Sequence, residues 1–294
     1  MGAKCCTNRK LEARGNRVAV APDLGSPRRR SMRAGSAQAS ERASSLGYNS
    51  RGEDADRFDT ACESNDLQVF VELLQSTEPV ESLGHQKHPW AEDPRTVGAL
   101  AAGQLEVLAS AAAKEDPAVK HKIRKAGAIA PLVALLRSGE SDRAQVAAAA
   151  LCQLTTDCPA NAVQAYEEGA LESLMAHMAS PVAGMRATVA MTLRNLYIER
   201  EECCRQFVEL GGIAILISQL SPTPDPDFLD TQLEAVLNLQ DVLEDNDGGT
   251  IEAYAKQAIR AGAEARLQQM TAAVDREVRA AAEEVLAILA KAKG

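Results

Sequence analysis

From about residue 53 onward, apolar residues recur at helical spacing almost without a break. Ile129, Leu132, Val133 and Leu136 fall on one face of a helix, as do Leu171, Leu174, Met175 and Met178, and then Ile213, Leu216, Ile217 and Leu220. Each stripe predicts a short helix with one buried face. A small-residue turn precedes each one: Ala126-Gly127-Ala128, Glu168-Gly169-Ala170 and Leu210-Gly211-Gly212, with Gly127, Gly169 and Gly211 spaced 42 residues apart. Glycine there supplies the positive φ, or the close backbone approach, that a sharp helix-to-helix turn requires.

The phrase recurs at Ala261-Gly262-Ala263-Glu264, 51 residues after Gly211, and the excess is the stretch from Ser221 to Asp227 with Pro222, Pro224 and Pro226, which reads as a loop insertion. An earlier copy, Leu67 to Ser76, parallels Ile129 to Ser138, with Asn65 in the place of the turn glycine. Asn tolerates the left-handed conformation, so the exchange is chemically reasonable. Leu67 and Ile129 are 62 residues apart, and the extra chain is assigned to a loop from Glu78 to Arg95 that contains three prolines. Other positions keep register. Pro117 and Pro159 are 42 apart, and Leu151-Cys-Gln-Leu154, Leu193-Arg-Asn-Leu196 and Val236-Leu-Asn-Leu239 occupy corresponding places late in each unit. A period near 42 falls in the ~40–47 range of armadillo and HEAT repeats, whose units bury their apolar faces only against one another. The expected fold is all-α, an armadillo-type right-handed α-solenoid of about five repeats over residues 53–294 with atypical end units.

Composition agrees: hydrophobic residues make up 46% of the chain and aromatics only 3%, a balance that suits closely packed helices better than sheets. Charge divides the chain in two. Residues 1–50 hold ten Lys or Arg against three Asp or Glu, a net +7; the whole chain is −9, so residues 51–294 total −16. Residues 1–52, rich in Ser, Gly, Arg and Ala, read as a flexible basic tail. The acidic body argues against nucleic acid as a partner, since such domains cluster Lys and Arg. A basic tail suits an anionic membrane surface. No run of eighteen apolar residues is present, and the N-terminus lacks the apolar core of a secretory signal. The seven cysteines are odd in number and form no C-x-x-C pair, which points to reduced thiols rather than a disulfide framework or a structural zinc site.

The sharpest motif is Met1-Gly2-Ala3-Lys4-Cys5-Cys6. Removal of Met1 exposes the Gly2 amine for myristoylation, although Cys6 stands where Ser or Thr is usual. One myristoyl chain binds membranes only marginally, so Cys5 and Cys6 are the expected palmitoylation sites that complete the anchor. An unmodified start with a solvated tail, or an organelle transit peptide, are the alternatives. His85-x-x-His88 could offer two metal ligands, but it lies in a Pro-containing stretch with no nearby Cys, and a bland loop is the expectation. Cys203-Cys204 lies in a helical stretch, where free Cys commonly serves as a small buried hydrophobe. No phosphate-binding or nucleophile-elbow motif occurs, so neither catalysis nor a cofactor is expected.

Repeats and acylation motif together resemble the armadillo repeats only family of apicomplexan parasites: Met1-Gly2-x-x-Cys5-Cys6, a short tail, then about five armadillo units and nothing else. An acylated vacuolar armadillo protein of fungi is a looser relative with more repeats. The resemblance implies attachment to the cytosolic face of the rhoptries through acyl groups on Gly2, Cys5 and Cys6. It also implies recruitment of a myosin motor, an associated adaptor and an adenylate cyclase, which places these organelles at the apex. In armadillo proteins the last helix of each repeat lines a concave groove, where a regularly placed Asn can hydrogen-bond an extended partner's backbone. The matching positions are Asn195 and Asn238, with Gln153 in the preceding unit and Ala287 in the last. One helical turn earlier stand Ala149, Met191 and Glu234, where nuclear import receptors carry Trp; without those aromatic slots, recognition of basic nuclear-localisation peptides is not implied. A purely structural role for the amides is the alternative. A soluble importin- or catenin-like module is the other binding-protein reading, and it would need no acylated Gly2.

Overall fold

The computed structural model describes residues 52–80, 95–111, 116–139, 141–198, 200–221, 229–245 and 247–293. Within them lie fifteen helices and no named strand, only two isolated bridges. They group into five units of three: α1 (Glu53–Ser64), α2 (Leu67–Leu73) and α3 (Val97–Ala111); α4 (Val119–Lys125), α5 (Ile129–Arg137) and α6 (Ser141–Thr155); α7 (Pro159–Glu167), α8 (Ala170–His177) and α9 (Ala183–Ile198); α10 (Glu201–Glu209), α11 (Gly212–Gln219) and α12 (Leu229–Leu243); α13 (Glu252–Arg260), α14 (Ala263–Met270) and α15 (Arg276–Lys291). The expected all-α solenoid with five repeats is what the chain forms.

The turn between the first and second helix of each unit is left-handed in all five. Gly127, Gly169, Gly211 and Gly262 have φ of 89°, 79°, 87° and 86°, and Asn65 takes their place in unit 1 at φ 53°. The third helices are the long ones, and each packs on the third helix of the next unit, from α3 through α6, α9 and α12 to α15. The repeated apolar pairs Leu151/Leu154, Leu193/Leu196 and Val236/Leu239 point into the interior and are at most 1% exposed. The expected insertion before α12 falls at the junction between second and third helix, and so does the loop before α3. Residues 222–228 and 81–94, including His85 and His88, lie outside the described residues, as does the tail with Gly2, Cys5 and Cys6.

The base of the first insertion is pinned. Glu78 accepts hydrogen bonds from the Asp54 and Ala55 amides at 3.0 and 3.1 Å, so a carboxylate 24 residues downstream caps α1, favourably for the helix dipole. Gly52, which precedes the helix, has no side chain to obstruct it; a Cβ there would overlap the Glu78 carboxylate. Pro79 bridges Thr96 where the two ends of the insertion meet.

Hydrogen bonds between units follow the period as closely as the apolar residues do. The last carbonyls of each second helix lack an intrahelical partner. Leu136, Met178 and Leu220, 42 residues apart, receive one from the next unit: His177 Nε2 at 2.8 Å, Gln219 Nε2 at 2.7 Å and Arg266 at 3.3 Å. A carbonyl can only accept, so the Nε2 of His177 carries the proton.

Unit 4 contains a compensating pair. The residue after the turn is Ala in units 2, 3 and 5 (Ala128, Ala170, Ala263) but Gly212 in unit 4. A Cβ on Gly212 would overlap the ring of Phe207, which is fully buried. The positions equivalent to Phe207 are Ile123, Ala165 and Ala258, smaller side chains that leave room for the methyl group. We therefore expect Gly212→Ala alone to cost about 1–3 kcal/mol by overpacking. In the Phe207→Leu background the same change should cost clearly less; denaturant unfolding of both pairs measures the coupling, and additive costs would refute it.

Candidate functional site

The third helices form a continuous row, and their sequence determines how open each stretch of it is. On α9 the half-buried residues Gly184, Thr188, Met191, Asn195 and Ile198 follow i, i+4, i+7, i+11, i+14 spacing and make one accessible stripe. The equivalent stripe on α6 runs through Asp142, Val146, Ala149, Gln153 and Thr156. Here Val146 and Ala149 are buried, because the run Ala147 to Ala150 lets the neighbouring helices approach closely. On α12 the equivalent residues are Thr231, Glu234, Asn238 and Asp241, all polar and all at most 7% exposed. On α15, at the end of the row, Glu283, Ala287 and Ala290 are exposed.

The three amides at one sequence position meet three different fates. Gln153 is half-buried, and its side chain makes no hydrogen bond among the described residues. It can still donate and accept. Asn195 donates through Nδ2 to the hydroxyls of Thr155, the last residue of α6, and of Thr156 just after it, at 3.1 and 3.2 Å, while those hydroxyls donate to the Leu151 and Cys152 carbonyls one turn back. Both amide protons are thereby spent on the preceding unit, and Oδ1 is left as the acceptor it can offer. Asn238 is fully buried: Nδ2 donates to the Glu234 carbonyl at 2.7 Å, and Oδ1 accepts from the hydroxyl of Tyr197 on α9. In this structure Asn238 braces α9 against α12 and presents no amide to the surface.

Beside it lies a charged cluster that sequence spacing does not reveal. Arg194 donates through Nε to Asp241 at 2.5 Å, an ion pair across α9 and α12 in which the Asp241 side chain is 3% exposed. Glu234, one turn before Asn238, is 7% exposed, and its Oε2 has no hydrogen-bond partner among the described residues. Burial pushes the Glu234 carboxyl up to about 7; Arg194 pulls it down, while Asp241 and Asp230 add to the rise. No spacing signal marks it: the places of Glu234 and Asp241 are held on α9 by Met191 and Ile198, and that of Arg194 on α12 by Leu237.

Elsewhere the cysteines are packing residues. Cys203 is fully buried and Cys204 half-buried, and desolvation raises the Cys203 thiol to about 12 and the Cys152 thiol to about 11, where neither is a useful nucleophile at neutral pH. Among the described residues no group of three or more His, Cys, Asp or Glu could hold a metal ion, and no helix is long and apolar enough to cross a membrane.

Comparison with known proteins identifies the architecture. The armadillo/beta-catenin-like repeat family matches residues 116–156, which span unit 2. The solved structure of ARO, the armadillo repeats only protein from Plasmodium falciparum, is similar with a TM-score of 0.74 and 35% identity, covering 81% of this chain and 98% of that one. The chain belongs to the armadillo repeats only family. As a family member it is an armadillo-repeat scaffold. A designed armadillo repeat protein solved in complex with the peptide (KR)4 has the same fold, with a TM-score of 0.57 and 18% identity over 79% of this chain and 85% of that one. Comparison with curated protein sequences returned no match.

Two expectations about the cluster can be checked. Glu234 carries a folded-state pKa near 7 against an ordinary 4.5, so its protonated form stabilises the fold fully below about pH 4.5, and that contribution is lost as pH rises toward 7. Glu234→Gln, which cannot ionise, should raise the melting temperature at pH 8 by about 5 °C and give no gain at pH 4.5. An equal gain at both values would show that charge burial is not the cause. Asn238→Ala leaves the buried Tyr197 hydroxyl only its long 3.5 Å bond to the backbone carbonyl of residue 238 and should cost about 1–3 kcal/mol in denaturant unfolding, more than Asn195→Ala at its half-buried site.

Proposed function

We propose that this protein is a membrane-anchored adaptor: acyl groups on Gly2, Cys5 and Cys6 hold it on the cytosolic face of an organelle, and the third-helix row captures protein partners. By resemblance the organelle is the rhoptry. The partners would then be a myosin motor, an associated adaptor and an adenylate cyclase, and the outcome is apical positioning of the organelle. The observation that carries the reading is membership of the armadillo repeats only family, combined with a chain that starts Met1-Gly2-x-x-Cys5-Cys6. The groove supports it physically: the open stripe of α9 offers Asn195 Oδ1, and Gln153 offers an uncommitted amide, to the backbone of an extended segment.

The anchor logic is quantitative. A single myristoyl chain supplies an association constant on the order of 10⁴ M⁻¹, too weak for stable residence, so two signals are required. The basic tail adds about 1 kcal/mol for each Lys or Arg held near an anionic leaflet. Fractionation and imaging in the native cell test the reading. Gly2→Ala should release the protein to the cytosol, and joint Cys5→Ala and Cys6→Ala should leave weak contact spread over several membranes. Unchanged attachment of Gly2→Ala would move the membrane signal into the repeats, and a wild-type protein found wholly in the cytosol would favour the soluble importin- or catenin-like module.

A further inference from the structure

We propose that the polar stripe of α12 is a receptor for one Lys or Arg side chain on an extended partner segment, with Oε2 of Glu234 as its acceptor. This deepens the adaptor reading and rests on it. The cluster is incomplete. Arg194 is committed through Nε to Asp241 and reaches Glu234 only through space, so among the described residues Glu234 is a second carboxyl without an ion pair of its own. Its Oε2 is buried and makes no hydrogen bond among the described residues. A buried carboxylate without a partner is costly, so such a group persists where something outside the fold completes it.

Position says where that partner comes from. Glu234 occupies on α12 the place that Met191 holds on α9, and Met191 lies in the accessible stripe of the row. Glu234 therefore belongs to the same stripe of the row, one unit beyond the open stretch of α9. Charge says what the partner is. The groups acting on Glu234 are Arg194 from α9 and Asp241 and Asp230 from α12 itself, and Cys152 on α6 lies within its field. One cation faces three carboxyls. A neutral donor would fill the missing hydrogen bond but leave the charge unbalanced, whereas an ammonium or guanidinium group supplies both. The equivalent places on α6 and α9 hold Ala149 and Met191, and on α15 the exposed Glu283, so Glu234 is the one enclosed carboxyl among these four positions and receives one cation.

Binding is then linked to protonation. The cation requires ionised Glu234, so affinity falls as pH drops through about 7, and binding at neutral pH releases a proton.

The test uses the full-length, unacylated chain and two extended peptides, Ac-(AR)4-NH2 and Ac-(AQ)4-NH2, at about 0.15 M salt to screen long-range attraction to the acidic body. Alternation places every Arg on one side of an extended strand. The wild type should bind the Arg peptide at pH 8 at least tenfold more tightly than the Gln peptide, and about tenfold more weakly at pH 6. Glu234→Gln should weaken it about tenfold at pH 8 and remove the pH dependence, while Glu209→Gln, the same charge change outside the row, should do neither. Circular dichroism melts establish that each variant is folded. Equal effects of the two Glu substitutions, or no preference for the Arg peptide, overturn the proposal. Thr188→Trp, which fills the open stripe of α9, separates the two levels. If it abolishes binding while Glu234→Gln does not, the groove reading stands and the cation receptor falls; if neither matters, the peptide binds elsewhere and both fall.

Discussion

No unit of this protein can bury its own hydrophobic face, and everything else follows from that constraint. Three short helices enclose too little volume for a core, so the apolar side of each unit is covered by the next, and stability is a sum of neighbouring contacts. The long third helices carry most of that contact, α3 on α6, α6 on α9, α9 on α12 and α12 on α15. The left-handed turn recurs at Asn65, Gly127, Gly169, Gly211 and Gly262, at the same point between first and second helix in every unit.

Polar groups are handled by the same rule. The carbonyls of Leu136, Met178 and Leu220 are satisfied from the following unit, and Asn195 reaches back to two threonines of the preceding one. A unit removed from the array would lose apolar cover and leave these groups unpaired at once. The joint between units 3 and 4 departs from the pattern. There an ion pair, a buried amide and a carboxyl with one oxygen unpartnered among the described residues lie beside the apolar pairs Leu193/Leu196 and Val236/Leu239, and burying such groups costs stability.

That joint also shows how a repeat scaffold acquires specificity. Each unit contributes a third helix of 15 or 16 residues to the row, but the stripe residues differ: Ala149 and Gln153, then Met191 and Asn195, then Glu234 and Asn238. Openness varies with them. The alanine run of α6 draws its neighbours in, the α9 stripe lies open, and the α12 stripe is polar yet enclosed. An extended partner lying along such a row meets different chemistry at each step, which is how one architecture selects one ligand.

The repeat register, the number of units, the left-handed turns and the placement of both insertions were legible in the amino-acid sequence, since each depends on residues close together in the chain. Only glycine or asparagine sits easily at φ near +60 to +90°, and a 3.6-residue period shows within a single helix. The fate of the groove amides was not legible. Gln153, Asn195 and Asn238 share one sequence position, yet one makes no side-chain hydrogen bond among the described residues, one is half spent and one is fully enclosed. What each touches is decided by Thr155, Thr156 and Tyr197, about 40 residues away in the neighbouring unit. The same holds for Glu234, whose surroundings are assembled from α9 and α12 together. Burial and charge balance belong to the packed pair of helices rather than to either one, so only the tertiary structure could decide them.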